Sequence, residues 1–163
     1  MAQVLLDTSV LIALCDPSHS MHGAALGWLG GVTDGIATCP IVENGAVRIL
    51  SQPKYASGTP ISTSNAVLAV REIRNVTGYE FWADDVSLLD AEVFDASALM
   101  GPAQVTDSYL LALAVTRDAV LVTLDTRLML SAVAGATQRH LHTLRSDEIL
   151  RKKGVRHDIA RLR

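Results

Sequence analysis

VLLDTSVLIAL, residues 4–14, changes its conformational pattern at a single residue. Val4, Leu5 and Leu6 form a short apolar run that ends at an acid, which reads as a buried strand. Thr8 to Leu14 reads as helix, broken at Asp16-Pro17. The aspartate between them therefore stands at the carboxyl end of a strand. LVTLDTRL, residues 121–128, repeats the arrangement: Val120 to Leu124 is the clearest strand of the chain, and Asp125 follows it.

The rest of the chain keeps this rhythm. Ser20 to Leu29 patterns as helix, with Met21, Ala24, Ala25, Trp28 and Leu29 on one face and Gly30-Gly31 closing it. Gly35 to Cys39 fits a second strand, and Pro40 suits the first turn of a helix over Ile41 to Leu50. Ser51 to Pro60 is a loop. Thr63 and Ser64 are candidate caps for a helix to about Asn75, with Ala66, Val67, Val70 and Ile73 inward. Tyr79 to Trp82 is a short strand candidate, followed by a turn at Ala83-Asp84-Asp85. Leu89 to Leu99 is predicted as helix, and Thr106 caps an apolar helix over Asp107 to Thr116. A short helix from Thr126 to Val133 and a last strand around His140 to Leu144 complete the reading. Strands alternating with helices predict an α/β fold, a three-layer α/β/α sandwich on a mainly parallel sheet.

Length and composition agree with one globular domain: 163 residues, 49% hydrophobic and 19% charged. No apolar run is long enough to span a bilayer, and Asp7 interrupts any signal-peptide core, so the expected location is the cytoplasm. Cys15 and Cys39 lack metal-ligand spacing and read as buried thiols. The net charge of −3 is unevenly spread: residues 1–145 carry 8 Lys and Arg against 14 Asp and Glu, whereas residues 146–163 carry 6 against 3. An acidic body argues against simple electrostatic capture of nucleic acid. Bound divalent cations would let such a body hold a polyanion.

Four acids are candidates to hold them. In an open parallel sheet, ligands bind in the crevice outside the carboxyl ends of the strands, so Asp7 and Asp125 are expected to project there. Asp107 opens a helix, and Glu43 lies in the first turn of the helix begun by Pro40. Taken singly, each has a structural explanation as a cap or a dipole partner. Gathered at one sheet edge, they repel one another unless cations or protons relieve them, and Mg²⁺ or Mn²⁺ takes such oxygen ligands. The chemistry implied is phosphodiester hydrolysis.

VLLDTSVLIAL, CPIVENGAVRIL, QVTDSYLLALAV and LVTLDTRL, in this order, resemble the four acidic motifs of PIN domains, specifically of VapC toxins. The resemblance also takes in DPSHSMHGAALGWL, the loop SQPKY and EFWADDVSLLDA, and so covers about residues 3 to 144. It implies a PIN domain over residues 1–145, with 146–163 as a basic extension. It further implies Mg²⁺- or Mn²⁺-dependent cleavage of tRNA or another structured RNA, a homodimer, and a VapB-type antitoxin partner. By position, Asp7, Glu43, Asp107 and Asp125 match the acidic quartet as catalytic residues and metal ligands. Ser9 and Thr123 are candidate hydrogen-bond supports for the strand-end acids. Asn44 and Arg48, on the helix of Glu43, are candidate RNA contacts.

Two other readings compete. A haloacid-dehalogenase-like phosphatase or phosphotransferase would use Asp7 as a covalent nucleophile, but such enzymes place a second Asp two residues on, where this chain has Ser9. A non-catalytic PIN module binding RNA would ordinarily lack one of the acids. His19 and His22 have no third ligand for zinc and read as packing or capping residues. His140 and His142 are expected to share a strand face, and Asp84-Asp85 to form a turn, with a fifth acid at the cluster as the alternative.

Overall fold

A computed structural model of the protein describes residues 3–55, 61–99 and 101–146. The basic extension expected over 146–163 lies, from residue 147 onward, outside the described residues.

Five parallel strands form one sheet: β1 (Val4–Leu6), β2 (Ile36–Thr38), β3 (Glu80–Phe81), β4 (Val120–Thr123) and β5 (Leu141–Thr143), in the order β3-β2-β1-β4-β5. Five α-helices connect them: α1 (Thr8–Cys15), α2 (His22–Leu29), α3 (Pro40–Leu50), α4 (Thr63–Arg71) and α5 (Val105–Thr116). From β1 to β3 the chain steps in one direction along the sheet, then returns through α5 to the opposite side of β1. Parallel crossovers are right-handed, so this reversal puts α1 to α4 on one face and α5 on the other, giving three layers. It also makes the β1/β4 boundary the topological switch point, the crevice where α/β proteins bind ligands.

The core explains the strand composition. Leu5, Leu6, Ile36 and Leu121 are fully buried, as expected of strands covered on both faces. Helix α5 is buried from Ser108 through Ala114, so it has no polar stripe and reads as apolar all round. Helix α3 approaches the start of α1 at Gly45, where an added Cβ would lie 3.0 Å from Thr8 Cγ2. That missing side chain lets the Glu43 helix sit against the Asp7 helix. Among the described residues no helix is long and apolar enough to cross a membrane.

Several local expectations are corrected. Leu89 to Leu99 is not an α-helix but a series of turns, with a 3₁₀ turn at Ala96–Ala98. Asp90 Oδ1 accepts from Glu92 N and Asp95 Oδ1 from Ser97 N, and such side-chain bonds to nearby backbone compete with helix. Thr126 to Val133 is likewise not helical: Asp125 turns the chain, and Val133 pairs with Phe94 in an isolated antiparallel bridge. Helix α4 ends at Arg71 and tightens into a 3₁₀ turn over Glu72–Asn75. Its cap is Ser62, whose hydroxyl accepts from Asn65 N, rather than Thr63 or Ser64, and Val67 is exposed rather than inward. Helix α5 starts at Val105, after a 3₁₀ turn at Pro102–Gln104, so Thr106 does not cap it.

Candidate active site

Asp7 is 6% exposed and occupies the N-cap position of α1, yet its side chain caps nothing. Its Oδ2 instead accepts from Ser9 Oγ at 2.6 Å and from Thr123 Oγ1 at 2.8 Å. Thr123, fully buried at the end of β4, also accepts from Asp125 N at 3.0 Å, while Leu124 N donates to Ser9 Oγ at 3.2 Å. Asp7 N donates to Val122 O at 2.9 Å. Two hydroxyls thus lock the carboxyl ends of β1 and β4 together at the switch point and fix one oxygen of Asp7.

Asp107 completes the group from the other face. Parallel β-α-β geometry runs α5 antiparallel to the strands, so its first turn returns to the sheet's carboxyl edge. Partial burial, then the charges of Asp7 and Asp125, push the Asp107 carboxyl up to about 6, partly offset by Arg127. The Asp107 carboxyl therefore feels aspartates from two distant segments of the chain. Asp107 makes no hydrogen bond among the described residues.

Asp125 is held differently. Its Oδ1 accepts from Arg127 N at 2.8 Å and Arg127 Nε at 3.1 Å, and its Oδ2 accepts from an Arg127 terminal nitrogen at 3.2 Å. This pairing with Arg127 holds the Asp125 carboxyl below the ordinary carboxylate range. Asp107, Asp125 and Arg127 line one cleft of about 230 Å³ with Gly101, Gln104 and Ser108.

Glu43 belongs to an adjacent network. Its Oε1 accepts from Thr38 Oγ1 and Tyr79 OH, each at 2.9 Å, and Arg74 bonds Oε2 at 3.2 Å. It is not among the charges that raise Asp107. Sequence reading missed Arg74 and Tyr79, which the crossover from β2 to β3 brings to Glu43. Asn44 and Arg48 are exposed on α3.

The remaining signals resolve as structure. Asp84 Oδ2 accepts from Ile41 N at the start of α3, and Asp85 pairs with Arg117 at 2.9 Å, so neither joins the cluster as a fifth acid through these bonds. His19 Nδ1 accepts from Met21 N, and His22 Nδ1 bonds Ala13 O at 2.7 Å. His140 is buried in a 3₁₀ turn with Thr137, while His142 lies on β5 and stacks near Trp28. Cys39 is buried and Cys15 partly so, and burial pushes both thiols up, to about 12 and about 11.

The donors are all carboxylate oxygens, the set that hard divalent cations take. Among the described residues no three His, Cys, Asp or Glu side chains form a ready-made cage. Hard divalent cations are commonly held by one or two carboxylates, with the remaining positions left to water and substrate oxygens. Asp7 keeps Oδ1 clear of the Ser9 and Thr123 bonds, and Asp107 is unpaired among the described residues.

A parallel α/β sheet with an aspartate after each of the two strands at its switch point, and a third on the facing helix, defines an acid-cluster α/β protein. A sequence model of the PIN domain matches residues 4–136, and the chain belongs to the PIN-domain family, among the VapC ribonucleases. It is 47% identical over 143 residues to Ribonuclease VapC44 of Mycobacterium tuberculosis, covering 87% of this chain and 99% of that protein. To Ribonuclease VapC39 of the same organism it is 41% identical over 138 residues, 82% of this chain and 96% of the relative. In structure it is similar to M. tuberculosis VapC20, a Sarcin-Ricin loop cleaving toxin, with TM-score 0.51 and 14% identity over 71% of this chain and 84% of that one. It is also similar to a chain of VapBC2 from Rickettsia felis bound to a promoter DNA fragment, with TM-score 0.51 and 13% identity over 88% and 99%. At such identities these two likenesses concern the fold.

Proposed function

We propose that this chain is a metal-dependent endoribonuclease, the toxin of a toxin–antitoxin pair, in which Asp7, Glu43, Asp107 and Asp125 carry the chemistry. The observation that carries the reading is Asp107: a half-buried carboxyl pushed up to about 6, in part by two further aspartates at the sheet's switch point. A cluster of this kind is costly as mere structure and suited to a divalent cation. Bound Mg²⁺ or Mn²⁺ would supply Lewis acidity toward a phosphoryl oxygen and relieve the negative charge.

The chain's own residues do the rest. Ser9 and Thr123 hold Asp7 Oδ2 and leave Oδ1 clear of both bonds. The Asp107 carboxyl, raised to about 6 by burial and the two aspartates, would be ionised by a bound cation and serve as one of its oxygen ligands. Arg127, 85% exposed, can leave Asp125 for an RNA phosphate. Asn44 and Arg48, exposed on α3, would serve as outer contacts to RNA. The substrate is tRNA or another structured RNA, with Mg²⁺ as the working ion and Mn²⁺ able to replace it. A VapB-type antitoxin that presents an arginine to the acids would silence the site, and the toxin acts as a homodimer in the cytoplasm.

Purified protein given Mn²⁺ and total cellular RNA is expected to cut it, with EDTA abolishing cleavage. Asp7→Asn and Asp107→Asn are expected to abolish it too, with unchanged circular dichroism. Cleavage that persists in both folded variants rules the assignment out.

A further inference from the structure

The same sheet edge carries an aromatic surface beside Glu43. In the β2/β3 register Thr38 pairs with Phe81, and in the β1/β2 register Leu5 pairs with Ala37, one residue earlier. Phe81 therefore ends its strand level with Leu6, the residue before Asp7. Two strand spacings of about 4.8 Å put their backbones about 10 Å apart.

Phe81 is 50% exposed, although it is one of only two phenylalanines in the chain. The Arg74 guanidinium lies 5.7 Å from its ring centroid and 5.9 Å from that of Tyr79. Arg74 is itself half exposed, and its bonds to both Glu43 oxygens hold the guanidinium in place. With its charge already met by Glu43, what Arg74 offers a ligand is chiefly its flat face. A held guanidinium against an open aromatic ring is a stacking surface, the chemistry by which proteins grip unpaired nucleobases. A paired base in a helix cannot lay its face there.

We propose that Phe81 and Arg74 form a stacking platform for one unpaired nucleobase of the RNA, next to the bond being cut. The proposal rests on the ribonuclease reading and adds a preference for looped or single-stranded RNA at that position. Phe81 is the specificity-determining contact, and Arg74 positions both the ring's neighbour and Glu43.

Fluorescence anisotropy in EDTA at low salt isolates the platform from metal and cleavage. The probes are labelled deca-adenylate and an abasic ribose-phosphate chain of equal length and charge. The wild type is expected to prefer adenylate about tenfold or more, the range of one stacked base. Phe81→Ala, checked for folding by circular dichroism, is expected to bring the ratio close to one, and Phe81→Tyr, which keeps the ring, to retain it. A wild-type ratio near one overturns the platform. So does a Phe81→Ala ratio equal to wild type, including the case where the variant changes only the mass in light scattering and Phe81 is a protein contact. A wild type that shows the preference but cuts no RNA with Mn²⁺ refutes the nuclease reading instead. One that cuts without the preference refutes the platform alone.

Discussion

Asp107→Asn is expected to make the metal-free protein more stable while removing its response to metal. Burial and the charges of Asp7 and Asp125 raise the Asp107 carboxyl from 3.8 to about 6. A raised carboxyl means that the folded state binds the proton more tightly than the unfolded chain. The cost of ionising it is therefore full above about pH 6, shrinks as pH falls toward 3.8, and is gone below that value. Roughly two pH units at about 1.4 kcal/mol each give about 3 kcal/mol, which solvent screening of a half-buried group reduces to about 1.5 kcal/mol. For a domain of this size that is a gain of about 3–6 °C in Tm. Thermal unfolding in EDTA at about pH 8 and about pH 4 measures it: the variant should melt higher at the first pH and level with wild type at the second. Millimolar Mn²⁺ should then raise the wild-type Tm and leave the variant unmoved, since binding to the native state alone stabilises it. A variant that melts lower at both pH values, or one that gains as much from Mn²⁺ as wild type, would refute the idea that charge crowding at Asp107 is what metal relieves.

Two neighbouring residues test the same site from other sides. Arg127→Ala frees both oxygens of Asp125 from their guanidinium, so calorimetry should report Mn²⁺ binding about two- to fivefold tighter, the scale of one exposed ion pair; unchanged affinity would mean that Arg127 does not compete with the ion. Thr123→Val keeps the shape but removes the hydroxyl that donates to Asp7 and accepts from Asp125 N. Leaving those buried groups short of a partner should cost about 1–3 kcal/mol in chemical denaturation, with Thr123→Ser recovering most of it.

How much of this was legible beforehand differs from residue to residue. The apolar runs ending at Asp7 and Asp125 announce a strand end by themselves, because a strand buried on both faces must be continuously apolar. Glu43 could be placed in the first turn of a helix from Pro40 alone. Leu89 to Leu99 and Thr126 to Val133 carry helical spacing yet form turns, since that spacing cannot register aspartates such as Asp90, Asp95 and Asp125 that turn their own backbone.

From sequence alone came the alternation of strands and helices, the carboxyl-end placement of the acids and the family, because these depend on short-range pattern and spacing. Tertiary structure alone decided which groups share a field. Asp7 and Asp125 act on Asp107, whereas Glu43 is bound by Arg74 and Tyr79. The aspartate grouping arises from the reversal of strand order at β1, and the Glu43 network from the crossover between β2 and β3; both join segments far apart in the chain, and electrostatic energy depends on distance through space rather than along the backbone.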